Sequence, residues 1–341
     1  MSDFKDILGN ETLKNHFKTA VRQKKISHAY IIEGEKGSGK KMLAEAFAKI
    51  LQCEQKKENQ EEACGICTSC KQMENKNHPD VVWVTHEKPN VISVKEVREQ
   101  MVNTIDVMPY KGPYKIYIVD EAEKMNIAAQ NAVLKTIEEP PPYGIILLLT
   151  TNRGVFLPTI LSRCILLTVK PVPNQQIRQY LMEHWSIEEK TADFCVDISM
   201  GNIGKAVDAA LSEEFTKIRQ FARSVLPYIH ELEPYEIAEK VKQLKNEKEN
   251  VQDFLDMMFM WFRDLLVLKT CDQQNLLIFK EDYLFLKKQS KNISYERLNE
   301  AFGDIEQTRT RLRANVNFDS SLEVLLIKLS NKFRPQLVYS K

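Results

Sequence analysis

The chain has 341 residues, 43% of them hydrophobic and 28% charged, which is enough for two or three separate cores. Lysine and arginine number 48 against 47 aspartates and glutamates, a net charge of +1, and this excludes a protein that coats nucleic acid through a global positive field. The longest apolar stretch, Phe254 to Lys269, carries Asp256, Arg263 and Asp264, so it is too short and too charged for a membrane span and reads as a buried helix.

The N-terminal stretch MSDFKDILGNETLKNHF has no basic segment followed by an apolar run, and a cytoplasmic location is expected. Helical periodicity from about Glu11 to Lys24 leads into AYIIEGEKGSGKKMLAEAFAK, residues Ala29 to Lys49. This reads as a strand, a glycine-rich turn and a helix, the context of a phosphate-binding loop. Gly34, Gly37 and Gly39 leave room for phosphates against backbone N–H groups, and Lys40 is placed to neutralise them. The pattern then asks for a Ser or Thr hydroxyl to hold Mg²⁺, but the residue is Lys41, a cation that cannot coordinate a metal.

The helix from Lys41 runs into a dense cysteine segment, Cys53 followed by Cys64, Cys67 and Cys70. Four thiolates in one short insertion suit tetrahedral Zn²⁺ in a structural role. An iron–sulfur cluster uses similar spacing, but no site for a redox partner is evident. Cys164, Cys195 and Cys271 are isolated, and core packing accounts for each.

A strand follows at Val81–Thr85. SVKEVREQMVNTIDVMP then reads as a helix with Ser93 as N-cap and Glu96 completing a capping box, closing near Pro109. The apolar run YKIYIV ends abruptly in Asp120 and Glu121. Downstream of a phosphate loop such a pair holds Mg²⁺ and polarises water; a pair that merely caps the next helix has the same form. IAAQNAVLKTIEEPP is a helix that stops at Pro140, and GIILLLTTN is a strand ending on Thr150, Thr151 and Asn152. Thr151 or Asn152 is therefore placed to contact a γ-phosphate or to position water. In LPTILSRC, Arg163 follows a short helix and precedes the strand CILLTV. A guanidinium at such an edge either reaches a neighbour's γ-phosphate or makes an ordinary surface ion pair.

Continuous apolar runs alternating with amphipathic helices predict an α/β domain, a parallel sheet covered on both faces. Ligands gather at the carboxyl ends of such strands, so Gly34–Lys41, Asp120, Glu121 and Thr150–Asn152 are expected to converge in one crevice. Pro171 and Pro173 mark a hinge. The expected division is 1–170 for the α/β domain with its four-Cys insertion at 53–70, 171–211 for a small helical lid, and 212–341 for an all-helical domain. No internal repeat is present.

The phosphate-loop segment, the four-Cys insert, IYIVDEAEKMNIAAQNAVLKTIEEPP, LLLTTNRGVFLPTILSRC and the late ANVNFDSSLEVLLIKL together resemble the clamp-loader branch of the AAA+ ATPases over nearly the whole chain. The resemblance implies an AAA+ domain with a zinc knuckle, a lid, and a C-terminal collar domain that holds a five-subunit ring together. Motor subunits of that branch carry Ser or Thr where this chain has Lys41, and a lid arginine where it has Gly204, with Lys205 next. What is then implied is a non-motor component of a DNA polymerase (nucleotidyltransferase) holoenzyme that has no ATP turnover of its own and offers Arg163 in trans as an arginine finger. The implied partners are the gamma/tau motor subunits, a delta subunit, and, through the complex, the sliding clamp and primer–template DNA, with no membrane. Asp120 and Glu121 are kept, which leaves ATP or ADP binding open. Two other readings are a working AAA+ motor subunit and a zinc-dependent nucleic-acid-binding module. The second is poorly served by the mixed charge and lack of aromatic residues around the cysteines.

Overall fold

The computed structural model describes residues 3–56, 61–246, 250–314 and 316–334. Residues 57–60 of the cysteine insertion and the ends of the expected first and last domains lie outside the described residues. Packing divides the chain into two compact units, 1–177 with 201–204, and 178–200 with 205–341. The sequence predicts a hinge near Pro171–Pro173 and domains 1–170, 171–211 and 212–341. The boundary between the two units falls inside the helix Asn174–Trp185, and Gly201–Gly204 returns to the first unit, where the Gly201 carbonyl accepts from the Val172 N–H at 2.8 Å.

The first unit is built on five strands, β1 (Ala29–Glu33), β2 (Val81–Val84), β3 (Lys115–Val119), β4 (Gly144–Thr150) and β5 (Ile165–Thr168). They lie in the order β2-β3-β4-β1-β5 with every pairing parallel. In β1 and its neighbours Ile31 pairs with Leu148 of β4 and Leu166 of β5. All of β3 and β4 is buried, which is why those segments read as unbroken apolar runs. Successive side chains serve opposite faces. Ile116, Ile118, Leu147 and Leu149 join Phe17, Leu43 and Phe47 on one side, while Tyr117, Val119, Ile146 and Leu148 join Met101, Val133 and Ile137 on the other.

The expected helix after β2 is shorter than its sequence suggests. The Ser93–Glu96 capping box forms as expected, but the helix Val94–Val97 passes into a π-helical turn, Arg98–Val102, and stops there, well short of Pro109. Side chains take over the backbone of the following loop. The Asp80 carboxylate accepts from the N–H groups of Tyr110, Lys111 and Gly112 at 2.5, 2.8 and 2.8 Å. The Lys115 ammonium donates to the carbonyls of Thr104 and Val107.

The second unit is helical. Its longest described helix, Val251–Cys271, is the apolar stretch expected to be buried, and Phe254, Leu255, Met257, Met258, Trp261, Phe262 and Leu265 all are. The Trp261 indole donates to Gln289, whose amide donates in turn to the carbonyls of Leu226 and Pro227. No described helix is long and apolar enough to cross a membrane.

Candidate functional site

The chain leaves β1 at Glu33, and the loop that follows reverses into the helix Lys40–Gln52. Gly37 and Gly39 adopt φ of 84° and 95°, a region closed to most side chains. The Gly34 N–H donates to the Thr150 carbonyl at 3.0 Å, so the loop starts against the end of β4. Lys40 is buried, and its ammonium donates to the carbonyls of Gly34 and Glu35 at 2.6 and 2.8 Å. Burial pushes the Lys40 ammonium down from its ordinary pKa, against the pull of Glu123 and Asp120.

Lys41 lies 2.6 Å from an Asp120 carboxylate oxygen, the group that would face Mg²⁺ in a metal-dependent nucleotide site. Here an ammonium neutralises it. Glu121, in left-handed backbone at φ 49°, accepts from Lys124 at 2.6 Å, and His86 stands 3.9 Å away. Burial would raise its pKa, but the Lys124 hydrogen bond and the charges of Lys124, His86 and Lys41 leave it below the ordinary value. The Thr151 hydroxyl donates to Glu123 at 2.7 Å. The loop residues, Asp120 and Thr151 thus meet at the carboxyl edge of the sheet, as expected. Glu123 and Lys124 were not singled out by the sequence reading; the acidic run DEAEK is the only trace they leave.

A second strand of chain closes over the loop. The Gly204 N–H donates to the Gly37 carbonyl at 3.0 Å, and the Asn202 amide donates to the Lys36 carbonyl at 2.8 Å. A Cβ at position 204 would stand 2.7 Å from both Gly37 Cα and its carbonyl oxygen. The position that corresponds to the lid arginine of motor subunits is therefore a backbone contact.

Arg163 lies between the short helix Pro158–Leu161 and β5, with its side chain 41% exposed. One guanidinium nitrogen, Nη1, donates to the Thr159 carbonyl at 3.0 Å and to the Ser162 hydroxyl at 3.2 Å. The other, Nη2, faces Glu138 at 3.2 Å.

The four insertion cysteines come together, with all four sulfurs within 4.8 Å of one another. Cys64 and Cys70 Sγ are 3.9 Å apart, close to the separation of about 3.8 Å set by tetrahedral ligands roughly 2.3 Å from a zinc ion. Backbone N–H groups of Cys64, Cys67 and Cys70 point at the sulfurs of Cys53, Cys64 and Cys67, each at 3.4 Å, a pattern that favours thiolates. The Cys64 thiol is brought down to about 7; burial opposes this and the N–H groups of Ile66 and Cys67 drive it. The donor set fits a structural Zn²⁺ with no open coordination position.

The sequence profile of the family described as "DNA polymerase III, delta subunit" matches residues 9–173. DNA polymerase III subunit delta' of Bacillus subtilis (strain 168) is 26% identical over 314 residues, 91% of this chain and 93% of the relative. The chain is thus similar to subunits of DNA polymerase III. The chain is also 28% identical over 289 residues to the DNA polymerase III tau subunit of the same organism, covering 78% of this chain but only 50% of tau. The chain thus spans half the length of that relative and nearly all of the delta' relative. A crystal structure of a DNA polymerase III gamma subunit-related protein from Thermotoga maritima covers 95% of the chain at 19% identity and a TM-score of 0.48. The first unit is a parallel α/β domain with a glycine-rich loop between its first strand and the following helix, and helices follow it.

Proposed function

We propose that this chain is a non-motor subunit of the clamp loader, of the delta' kind, which helps load the sliding clamp onto primed DNA and lends Arg163 to a neighbouring ATPase site. The observation that carries this reading is the Lys41–Asp120 ion pair. It puts a fixed ammonium on the carboxylate that a motor subunit needs for Mg²⁺, while Lys40 is engaged by its own loop. The arginine, by contrast, is kept and exposed. Phosphoryl transfer gains from a guanidinium that spreads the charge building on the γ-phosphate, an effect worth about 10³–10⁵ in rate for arginine fingers. A subunit that has lost its own cation site can still make that contribution to the next one.

In this reading the partners are the gamma/tau motor subunits and a delta subunit, with the clamp and primer–template DNA met through the assembled ring, in the cytoplasm. The helical residues beyond 211 form the collar that joins the ring, with 171–211 acting as lid. The cysteine site holds Zn²⁺ as a structural staple. The experiment is to assay ATP hydrolysis by the isolated chain and by each combination of the purified subunits. The proposal expects no turnover from the chain alone and a turnover that rises when the chain joins the motor subunits.

The retained Asp120 and Glu121 favour a second reading, a working motor subunit. Hydrolysis by the isolated chain above background would establish it and overturn the first.

A further inference from the structure

The geometry points to Glu138 as the positioning residue of Arg163, holding the guanidinium so that its Nε–H stays open to a neighbour's phosphate. This inference rests on the finger role proposed above. Arginine offers five N–H donors in a planar fork. Here Nη1 is committed to the Thr159 carbonyl and the Ser162 hydroxyl, and Nη2 to Glu138. Among the described residues, Nε takes part in none of these contacts. Three acceptors thus fix the plane and heading of the side chain, and the Nε side remains for a ligand.

Two features set this arrangement apart from an ordinary surface ion pair. The Nη1 contacts have a local explanation, because the last carbonyls of the short helix Pro158–Leu161 lack helical partners and a nearby cation satisfies one of them. The Glu138 contact has no such explanation, since it joins residues 25 apart in sequence on different elements. Glu138 is also the last residue of the helix Ile127–Glu138, where the helix dipole disfavours a carboxylate. An acidic side chain at that end is poorly accounted for by the stability of its own helix, and it is well placed to aim Arg163.

A misaimed guanidinium forfeits the in-line alignment that phosphoryl transfer needs, and errors of about 1 Å cost rate steeply. Glu138 therefore contributes to turnover through Arg163. Both side chains are roughly four-tenths exposed, so substitutions there leave the core untouched.

The test is a double-mutant cycle in the reconstituted complex, reading kcat and KM for ATP hydrolysis, with ring assembly checked by gel filtration. Arg163→Ala sets the share of turnover that the finger supplies. Glu138→Ala is expected to remove at least half of that share through kcat, with KM changed less than twofold, and Glu138→Gln to fall between, since it keeps an acceptor without the charge. In the Arg163→Ala background, Glu138→Ala is expected to cost nothing more. If Glu138→Ala retains wild-type kcat while Arg163→Ala loses turnover, the finger stands and the positioning role is overturned. An equal loss from Glu138→Ala in both backgrounds also overturns it, in favour of a general structural role. Wild-type turnover in Arg163→Ala removes the finger and the role of Glu138 together.

Discussion

Gly204 donates its N–H to the carbonyl of Gly37 at 3.0 Å, and the two backbones approach so closely that a Cβ at 204 would lie 2.7 Å from Gly37. The phosphate loop is thereby clamped by a segment far along the chain. Gly204→Ala is expected to force the two backbones apart and to destabilise the first unit by about 1–3 kcal/mol, the usual cost of overpacking. Thermal unfolding would register this as a lowered Tm, and an unchanged Tm would mean that the contact yields freely.

The same contact bears on restoring catalysis. Lys41→Thr supplies the missing hydroxyl, yet Gly204→Arg cannot supply a lid arginine without opening the loop. The double variant is expected to show no more ATP turnover than the wild-type chain when each is assayed alone. Steady hydrolysis by the double variant would show that two substitutions suffice to rebuild a motor.

In the assembled complex, Arg163→Ala is expected to leave ring assembly intact while lowering ATP hydrolysis and clamp loading. The loss should be smaller than the full effect of a finger, because one site among several is affected. Arg163→Lys is expected to recover little, since an ammonium cannot reproduce the planar fork. Full clamp loading by the alanine complex would reduce Arg163 to a surface residue.

Elemental analysis of protein prepared without chelator is expected to find one zinc per chain. Chelation should release it and speed amide exchange in residues 61–74 without dissolving the sheet. Acid should favour release, because thiolates must be deprotonated to bind metal. Cys67→Ser protein that retains zinc with wild-type affinity would exclude a four-thiolate site.

Asp80 gives a pH signature. Burial would raise its carboxyl, but the N–H groups of Gly112, Tyr110 and Lys111 hold it below its ordinary value. A carboxyl depressed on folding stabilises fully above its unfolded pKa of about 3.9, and that stability is lost as pH falls through the lower folded value. Asp80→Asn is expected to cost about 1–3 kcal/mol at neutral pH. The gap between variant and wild type in urea midpoint should narrow as pH drops below about 4. A gap of constant size down to pH 2 would show that the charge of Asp80 is immaterial.

The parallel sheet was legible in the sequence because both faces are buried, which leaves unbroken apolar runs such as Ile116–Val119 and Ile145–Leu149. The capping box at Ser93 and the spacing of the four cysteines were legible because each is a local pattern. What escaped depends on contacts distant in sequence. The helix after Ser93 ends early because Asp80 and Lys115 supply partners to the loop beyond it. Glu138 carries no local mark of its meeting with Arg163. In the sequence Gly204 marks only a missing arginine, whereas the reason for its size lies in Gly37.

The ammonium of Lys41, unlike a metal ion, is tethered to the carboxylate's own domain by a helix a few residues away. Its effective concentration at Asp120 is fixed by covalent geometry and cannot be diluted. Whether that carboxylate is neutralised therefore does not follow the supply of Mg²⁺. In the ring proposed above, such a subunit would keep one electrostatic setting while its neighbours alternate between loaded and empty states.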